Sequence, residues 1–302
     1  MHVALTGATG FIGSHVLTEL QEHGHQVVAL VRDDAQADLV AAHDVSPMVV
    51  DLHDRPTVMS VLGNVDGAIH TASPGDATSA DLDSAVADAA IGALAGTGKP
   101  YLHMSGLWIY GANPSITEES PIDAPPLVAW RQAIEQRLLG VRDMRGVVIV
   151  SGVAYGDAGG GVPGLLLGSP RDDAGNLIML GTGRQRWATV HVADLANALR
   201  LALENDTARG RYVVGDGSNP TVAELTRAAA VAAGAPGAVP GTDAEARARL
   251  GDYFAEVLLL DQGTNAAKAR TDLGWDPSHP PLVDEFRHGS YARPVTPTST
   301  HR

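Results

Sequence analysis

The stretch that decides the fold is HVALTGATGFIGSHVLTELQEH, residues 2–23. It begins with a short apolar run, continues through a turn with glycines at positions 7, 10 and 13, and ends in a segment of helical periodicity. Gly24 ends that helix, and residues 26–31 form a second apolar run. The sequence therefore predicts a strand, a glycine-rich turn, a helix and a second strand, which together make one βαβ unit.

Glycines at this spacing give the turn the geometry needed to hold a pyrophosphate. The first permits the tight turn, the second lets the backbone approach the phosphates, and the third allows close packing of helix on strand. The N-terminus of the following helix offers free N–H groups and the positive end of a dipole. We therefore expect the turn to bind a nicotinamide dinucleotide. The residues predicted to contact it are Gly7, Thr9, Gly10, Phe11, Ile12 and Gly13.

Strands alternate with helix-length segments through the rest of the first half of the chain. Further strands are predicted at residues 46–50, 67–71, 100–104, 147–151 and 212–214, and later helices at 221–233 and 243–250. Alternation of this kind is typical of an α/β fold, here a doubly wound parallel sheet (Rossmann fold) with helices on both faces.

We expect two interlocked parts in the chain. Residues 1–155, together with 187–215, would form the dinucleotide-binding Rossmann domain. Residues 156–186, which are rich in glycine and polar residues, and residues 216–289 would form a smaller C-terminal substrate-binding part. The segment 290–302 is rich in Pro, Thr and Ser and is predicted to be disordered.

The end of the second strand favours NADP over NAD as the cofactor. An NAD-binding unit usually carries an acidic residue there to accept the ribose 2′-hydroxyl, but Val31 stands at this position and Arg32 follows it. A guanidinium can pair with the 2′-phosphate of NADP. Asp33 and Asp34 come next and keep NAD open as the alternative. Residues expected to line the rest of the cofactor cleft are Asp51, Leu52, Thr71, Ala72 and Ser73.

Composition excludes several classes of function. The 302 residues carry a formal net charge of −14, which argues against nucleic acid as a partner. The chain contains no Cys and no apolar run of the roughly 20 residues that span a bilayer, and it predicts no metal site. We expect a cytoplasmic protein that acts on a small molecule, without nucleic-acid or membrane partners.

Several motifs, in the same order, resemble those of the extended short-chain dehydrogenases/reductases, the group that holds nucleotide-sugar epimerases and dehydratases. The residues that carry the resemblance are TGATGFIG at 6–13, HTAS at 70–73, MSGLWIYG at 104–111, SGVAYG at 151–156, VHVADL at 190–195 and KARTDLGWDP at 268–277. The resemblance covers nearly the whole chain. It implies a doubly wound sheet with a smaller C-terminal substrate domain, and it permits a homodimer.

The active site departs from the pattern of that group, which uses a Tyr, a Lys four residues later, and a Ser or Thr. None of the six tyrosines is followed by Lys at that spacing. In register, the segment 126–135 places Leu127 at the Tyr position and Arg131 at the Lys position, and Gly106 stands at the Ser/Thr position. We therefore predict an atypical member. Arg131 is expected either to bind the nicotinamide ribose or to pair with Glu135 one helical turn away.

Other residues must then supply the chemistry. The candidate proton donors are Ser105, Tyr110 and Tyr155. Trp108 and Trp130 are candidate walls of a substrate pocket, although core packing is the alternative for both. Arg186 is a candidate for binding an anionic group of the substrate, with a solvated loop position as its alternative.

Three functions are compatible with these features. The first is an NADP(H)-dependent oxidoreductase, a reductase of a small carbonyl or natural-product substrate, with a non-standard proton donor. The second is a nucleotide-sugar epimerase or dehydratase. The third is a non-catalytic NADP(H)-binding sensor or regulatory protein, which would retain the cofactor turn without the catalytic groups.

Overall fold

A parallel sheet of seven strands forms the centre of the molecule, in a computed structural model that describes residues 1–41 and 45–292. The strands of the chain are β1 His2–Thr6, β2 Gln26–Val31, β3 Ser46–Val49, β4 Gly67–His70, β5 Pro100–Gly106, β6 Arg145–Ser151, β7 Val153–Tyr155, β8 Leu177–Ile178, β9 Thr189–His191, β10 Gly210–Val214 and β11 Ala238–Val239. The order in the large sheet is β10-β6-β5-β4-β1-β2-β3, and every neighbouring pair is parallel. The predicted α/β fold class is confirmed.

Helices cover both faces of this sheet. They are α1 Phe11–Glu22, α2 Asp34–Ala41, α3 Arg55–Gly63, α4 Ser79–Leu94, α5 Trp130–Leu139, α6 Gly161–Leu167, α7 Val192–Glu204, α8 Val222–Ala232, α9 Asp243–Leu250, α10 Asp252–Leu258, α11 Ala267–Leu273 and α12 Leu282–His288. Apolar side chains of α1 and α7, such as Leu20 and Leu199, pack on one face, and those of α3, α4 and α5, such as Val58 and Ile134, pack on the other. Among the described helices, none is long and apolar enough to cross a membrane.

The strand order places a cleft at one end of the sheet. From β1 the chain moves outward to β2 and β3, and it then returns to add β4, β5 and β6 on the opposite side of β1. Loops that leave β1 and β4 therefore diverge at the carboxyl ends of these strands. A crevice at such a reversal of strand order is the usual ligand site of open α/β sheets.

The later part of the chain builds a smaller layer over that end of the sheet. Two short ladders, β7 with β9 and β8 with β11, accompany helices α6, α8, α9, α10 and α12 around their own apolar cluster. A 3-10 helix at Ser290–Ala292 belongs to this layer, and the Tyr291 hydroxyl donates to the Gly159 carbonyl at 2.5 Å. The prediction of disorder for 290–302 is therefore wrong for residues 290–292, which are ordered. Residues 293–302 lie outside the described residues.

Candidate cofactor and substrate site

The turn between β1 and α1 forms an open backbone cradle. Gly7 has a positive φ of 76°, and the Gly10 N–H donates to the Gly7 carbonyl at 2.9 Å. Helix α1 begins at Phe11 without a side-chain cap among the described residues, so its first N–H groups are free to bind a ligand. A Cβ on Gly13 would lie 1.9 Å from the Gly7 oxygen, so the helix approaches the turn as closely as glycine permits. These features fit a bound pyrophosphate.

A long trough of about 520 Å³ runs from this cradle along the carboxyl ends of the strands. The structure brings together here all but one of the residues that the sequence predicts for the cofactor. They are Gly7, Thr9, Gly10, Phe11, Ile12, Gly13, Arg32, Asp51, Leu52, Thr71, Ala72 and Ser73. The exception, Arg131, lines a cavity of about 150 Å³ that shares Ile12 and Thr71 with the trough. The trough can therefore hold an extended dinucleotide.

Charged and polar side chains gather at the far end of the trough. Arg32 is 79% exposed, and its Nε donates to Asp33 at 3.2 Å. Asp51 lies at the same end, where the backbone N–H and the side chain of His53 lower the pKa of its carboxyl group. The end of the trough thus offers a guanidinium for a phosphate and a carboxylate for a hydroxyl group.

A buried carboxylate lies beneath the middle of the cleft. Asp83 of α4 lies between two imidazoles, with its Oδ1 3.3 Å from His70 Nε2 and its Oδ2 3.5 Å from His103 Nε2. Burial opposes ionisation of Asp83, but hydrogen bonds from His103 and His70 outweigh it and hold the pKa of the carboxyl group far below its usual range. Burial lowers the pKa of His103, and Asp83 offsets this only in part. Asp83 is therefore a fixed negative charge under the cofactor cleft.

Arg131 extends from α5 toward this charge. Its Nη1 donates to the Met104 carbonyl at 3.2 Å and lies 3.9 Å from Asp83 Oδ2, while its guanidinium lies 4.5 Å from the centre of the Trp130 ring. Glu135, the other partner considered from the sequence, binds different groups. Arg131 therefore brings positive charge to the cleft and does not pair with Glu135. Its predicted role in binding the nicotinamide ribose stays a prediction.

A second, largely apolar cavity of about 320 Å³ opens beside the nicotinamide end of the trough. Its wall shares Phe11 and Ile12 with the trough, and it shares Ser105 and Arg131 with the small cavity described above. The remaining side chains include Leu107, Trp108, Val128, Val153, Val162, Trp187 and Gln262. Its size and lining are those of a small-molecule site, with Ser105, Arg131 and Ser151 at the end that it shares with the small cavity.

Ser105 links this cavity to a buried ion pair that the sequence did not suggest. Its hydroxyl donates to Glu135 Oε1 at 2.6 Å, and Glu135 Oε2 accepts from Arg211 Nε at 2.7 Å. Glu135 has no solvent exposure, and Arg211 is 19% exposed on β10. The sequence offers one signal for this pair, which is that Glu135 lies beside apolar residues on a helix. Arg211 lies 76 residues further along the chain, so no local pattern predicts that it pairs with Glu135.

The two tyrosines proposed as proton donors lie outside these cavities. Tyr110 is buried, and its hydroxyl has no hydrogen-bond partner in the described part of the chain. Burial raises its pKa to about 12. The Tyr155 hydroxyl is within hydrogen-bond distance of Asp216 Oδ2 (3.2 Å) and the Pro280 carbonyl (2.9 Å), and burial raises its pKa well above the usual value. Both phenols pack as core residues, so their chemistry is not available to a ligand in the cleft.

The three side chains predicted to bind substrate are separated in the structure. Trp108 lines the apolar cavity. Trp130 packs at the start of α5, and its Nε1 donates to the Leu127 carbonyl. Arg186 does not line the cavity and forms a two-point ion pair with Asp261, at 2.9 Å and 2.8 Å. The positive charge of Arg186 is therefore already paired with the carboxylate of Asp261.

The fold and the trough define a dinucleotide-binding α/β protein of the extended short-chain dehydrogenase/reductase class. The sequence profile of the NAD dependent epimerase/dehydratase family matches residues 3–215, more than half of the chain. The chain therefore belongs to the NAD dependent epimerase/dehydratase family and binds NAD(P). The family resemblance inferred from the motifs is confirmed.

Three individual relatives match this chain over at least 94% of its length. A 3-diazoavenalumate denitrifying reductase from a Streptomyces species is 28% identical over 94% of this chain and 98% of the relative. The human epimerase family protein SDR39U1, solved with NADPH, superposes with a TM-score of 0.74 at 22% identity, over 96% of this chain and 99% of that protein. The UDP-glucose 4-epimerase of Thermus thermophilus, solved with NAD, has a TM-score of 0.71 at 24% identity, over 95% and 99%.

Proposed function

We propose that the chain is an NADP(H)-dependent oxidoreductase that interconverts a small, largely apolar carbonyl compound and its alcohol, with reduction as the main direction. The observation that carries this proposal is the apolar cavity, which shares Phe11 and Ile12 with the cofactor trough and meets the small cavity beside the trough at Ser105 and Arg131. A substrate carbon in this cavity would lie beside the nicotinamide end of the trough. The cofactor supplies hydride transfer when it is bound, and the chain's residues hold and orient the substrate.

The lining of the cavity favours a small apolar substrate over a nucleotide sugar. Arg131 is the one charged side chain among the described residues that line it. A nucleoside diphosphate carries several negative charges, which proteins usually bind with clustered cationic groups or helix N-termini. Arg186, which could have served such a substrate, is paired with Asp261. The epimerase alternative, which the family match supports, would need cationic groups that this cavity does not supply.

The preference for NADP rests on Arg32. Its guanidinium lines the adenosine end of the trough and is largely exposed, so it can turn toward a 2′-phosphate without losing a buried partner. Val31 precedes it and has no side-chain acceptor for a ribose hydroxyl. Asp51 is the residue that would serve NAD instead. The neighbour solved with NADPH is consistent with this choice, and the neighbour solved with NAD is consistent with the alternative.

A substrate panel tests the proposal. Purified protein is incubated with NADPH and cyclic or aryl ketones, and separately with UDP-glucose and NAD. We expect oxidation of NADPH with at least one ketone and no conversion of UDP-glucose. Trp108→Ala should raise KM for that ketone about tenfold, because an indole contact is worth roughly 1–2 kcal/mol. Tyr253→Ala, which removes an exposed ring outside the cavity, should leave KM unchanged.

The panel can also refute the proposal. Conversion of UDP-glucose without any ketone reduction would favour the epimerase. Binding of NADPH without turnover of either class would favour a sensor.

A further inference from the structure

The Ser105 hydroxyl donates its hydrogen bond to Glu135, and this direction decides which ligands Ser105 can bind. Glu135 accepts from Arg211 on one oxygen and from the Ser105 hydroxyl on the other, at 2.7 Å and 2.6 Å. A carboxylate can only accept, so the single proton of Ser105 points toward Glu135 and away from the cavity. The lone pairs of the Ser105 hydroxyl remain for a ligand in the cavity that Ser105 lines. Toward the cavity, Ser105 is therefore an acceptor.

We propose that Glu135, acting through Ser105, accepts the hydroxyl proton when the alcohol is oxidised and returns it when the carbonyl compound is reduced. By this acceptor the cofactor-free site binds the alcohol more tightly than the carbonyl compound. The inference rests on the proposed function, because it assigns the proton path of that reaction. It gives a proton-transfer role to Glu135 and a charge-stabilising role to Arg211, and neither residue lines the cavity.

The proton and the electrons balance along this path. In oxidation, the C–H bond of the alcohol breaks and its hydride passes to the oxidised nicotinamide. The O–H proton moves to Ser105 Oγ as the proton of Ser105 moves to Glu135. The products are a carbonyl compound, the reduced nicotinamide and a protonated Glu135. Reduction follows the same path in reverse, with Glu135 returning the proton through Ser105 to the alcohol oxygen.

Charged groups from three neighbouring elements lie around Glu135. Arg211 on β10 stabilises the carboxylate, and Arg131, one turn earlier on α5, adds a second positive charge. Asp83 on α4, which lies 3.9 Å from Arg131, offsets part of that charge. Tyr110, at the end of the 3-10 helix Leu107–Tyr110 that follows β5, faces the pair and is neutral, because burial raises its pKa to about 12. Arg211 is 19% exposed, so its charge stays within reach of solvent when Glu135 accepts a proton.

The direction of the Ser105 hydrogen bond can be tested without turnover. The full chain, without added cofactor, is titrated with 1-phenylethanol and with acetophenone, and binding is read from the fluorescence of Trp108 and Trp187 in the cavity wall. We expect the alcohol to bind about tenfold more tightly than the ketone, the value of one hydrogen bond. In Glu135→Gln the amide oxygen faces Arg211 and the amide nitrogen donates to Ser105. The Ser105 proton is then free, and the preference should reverse toward the ketone.

A matched variant and a second substitution complete the test. Glu118→Gln, whose carboxylate oxygen accepts from the Val213 N–H, should keep the wild-type preference. Ser105→Ala should abolish the preference without reversing it, which keeps the proposal testable if Glu135→Gln folds poorly. Equal alcohol-to-ketone ratios in wild type and Glu135→Gln would overturn the proposal. Failure of both probes to bind would overturn the assignment of Ser105 to a ligand site.

Turnover gives a second readout that a purely structural role would not change. With an alcohol that is oxidised, Glu135→Gln should lower kcat about a hundredfold, well beyond the roughly tenfold change in binding, because the relay then has no proton acceptor. A kcat of Glu135→Gln equal to that of wild type would contradict the relay. If the binding preference reverses as expected but no alcohol or ketone is turned over, the proposed function fails, while the role of Ser105 as a hydrogen-bond acceptor for the ligand remains.

Discussion

Gly13→Ala tests how tightly the cofactor cradle is built. The new Cβ would lie 1.9 Å from the Gly7 oxygen and 2.6 Å from the Gly7 carbonyl carbon, whereas ordinary contact begins at 3.4 Å. Both atoms belong to the backbone, so no side chain can rotate away. The Gly7–Gly10 turn would have to move by more than an ångström. Overpacking of this kind costs about 1–3 kcal/mol, and the displaced turn would lose its fit to a pyrophosphate.

The assay combines denaturant unfolding with NADPH titration. We expect Gly13→Ala to lower the free energy of unfolding by about 2–3 kcal/mol and to weaken NADPH binding at least tenfold. The matched control is Gly63→Ala at the end of α3, where a Cβ meets nothing within 4 Å. That variant should be unchanged or about 0.5–1 kcal/mol more stable and should bind NADPH normally. Wild-type stability and NADPH affinity in Gly13→Ala would refute the geometry of the turn.

Two further predictions concern stability. Tyr110→Phe removes a buried hydroxyl without a partner among the described residues, so it should leave the protein equally stable or about 1 kcal/mol more stable in thermal unfolding; a loss above that value would reveal an unrecognised partner. Acid should destabilise the fold in two steps. The folded-state pKa values of His103 and Asp83 are both lowered, so their contributions are complete above the unfolded values of about 6.5 and about 3.9 and are lost as the pH falls below each. Asp83→Asn should remove the lower step in urea titrations; a second step of undiminished size would assign it to other carboxylates.

Most of the central fold could be predicted because its signals are local. The second strand is observed at Gln26–Val31 and helix α9 at Asp243–Leu250, at the predicted bounds. Each is a run with strong periodicity between clear start and stop residues, such as the capping box of Thr242. The ladders of β7 with β9 and β8 with β11 were not predicted, because strands of two or three residues carry no periodicity.

Most residues of the cofactor trough could also be predicted, because their motifs are local in the sequence. The proton path could not be predicted in this way. The cradle residues are contiguous, so one motif predicts them together. Tyr155 was a reasonable candidate by position, but its partners Asp216 and Pro280 lie 61 and 125 residues away and bury it. Glu135 and Arg211 likewise meet only in the folded chain. Long-range polar pairing therefore decides which candidate side chains are available, and no local pattern reports it.

A fluorescence titration with NADPH and NADH, on wild type and Arg32→Ala, tests the central claim most directly. We predict that wild type binds both and prefers NADPH at least tenfold, and that Arg32→Ala loses about 10–100-fold for NADPH and little for NADH, since a charged hydrogen bond contributes about 1.5–3 kcal/mol. Asp51→Asn should weaken NADH alone if that carboxylate accepts the ribose hydroxyl. Failure of wild type to bind either nucleotide would contradict the account of the trough as a cofactor site.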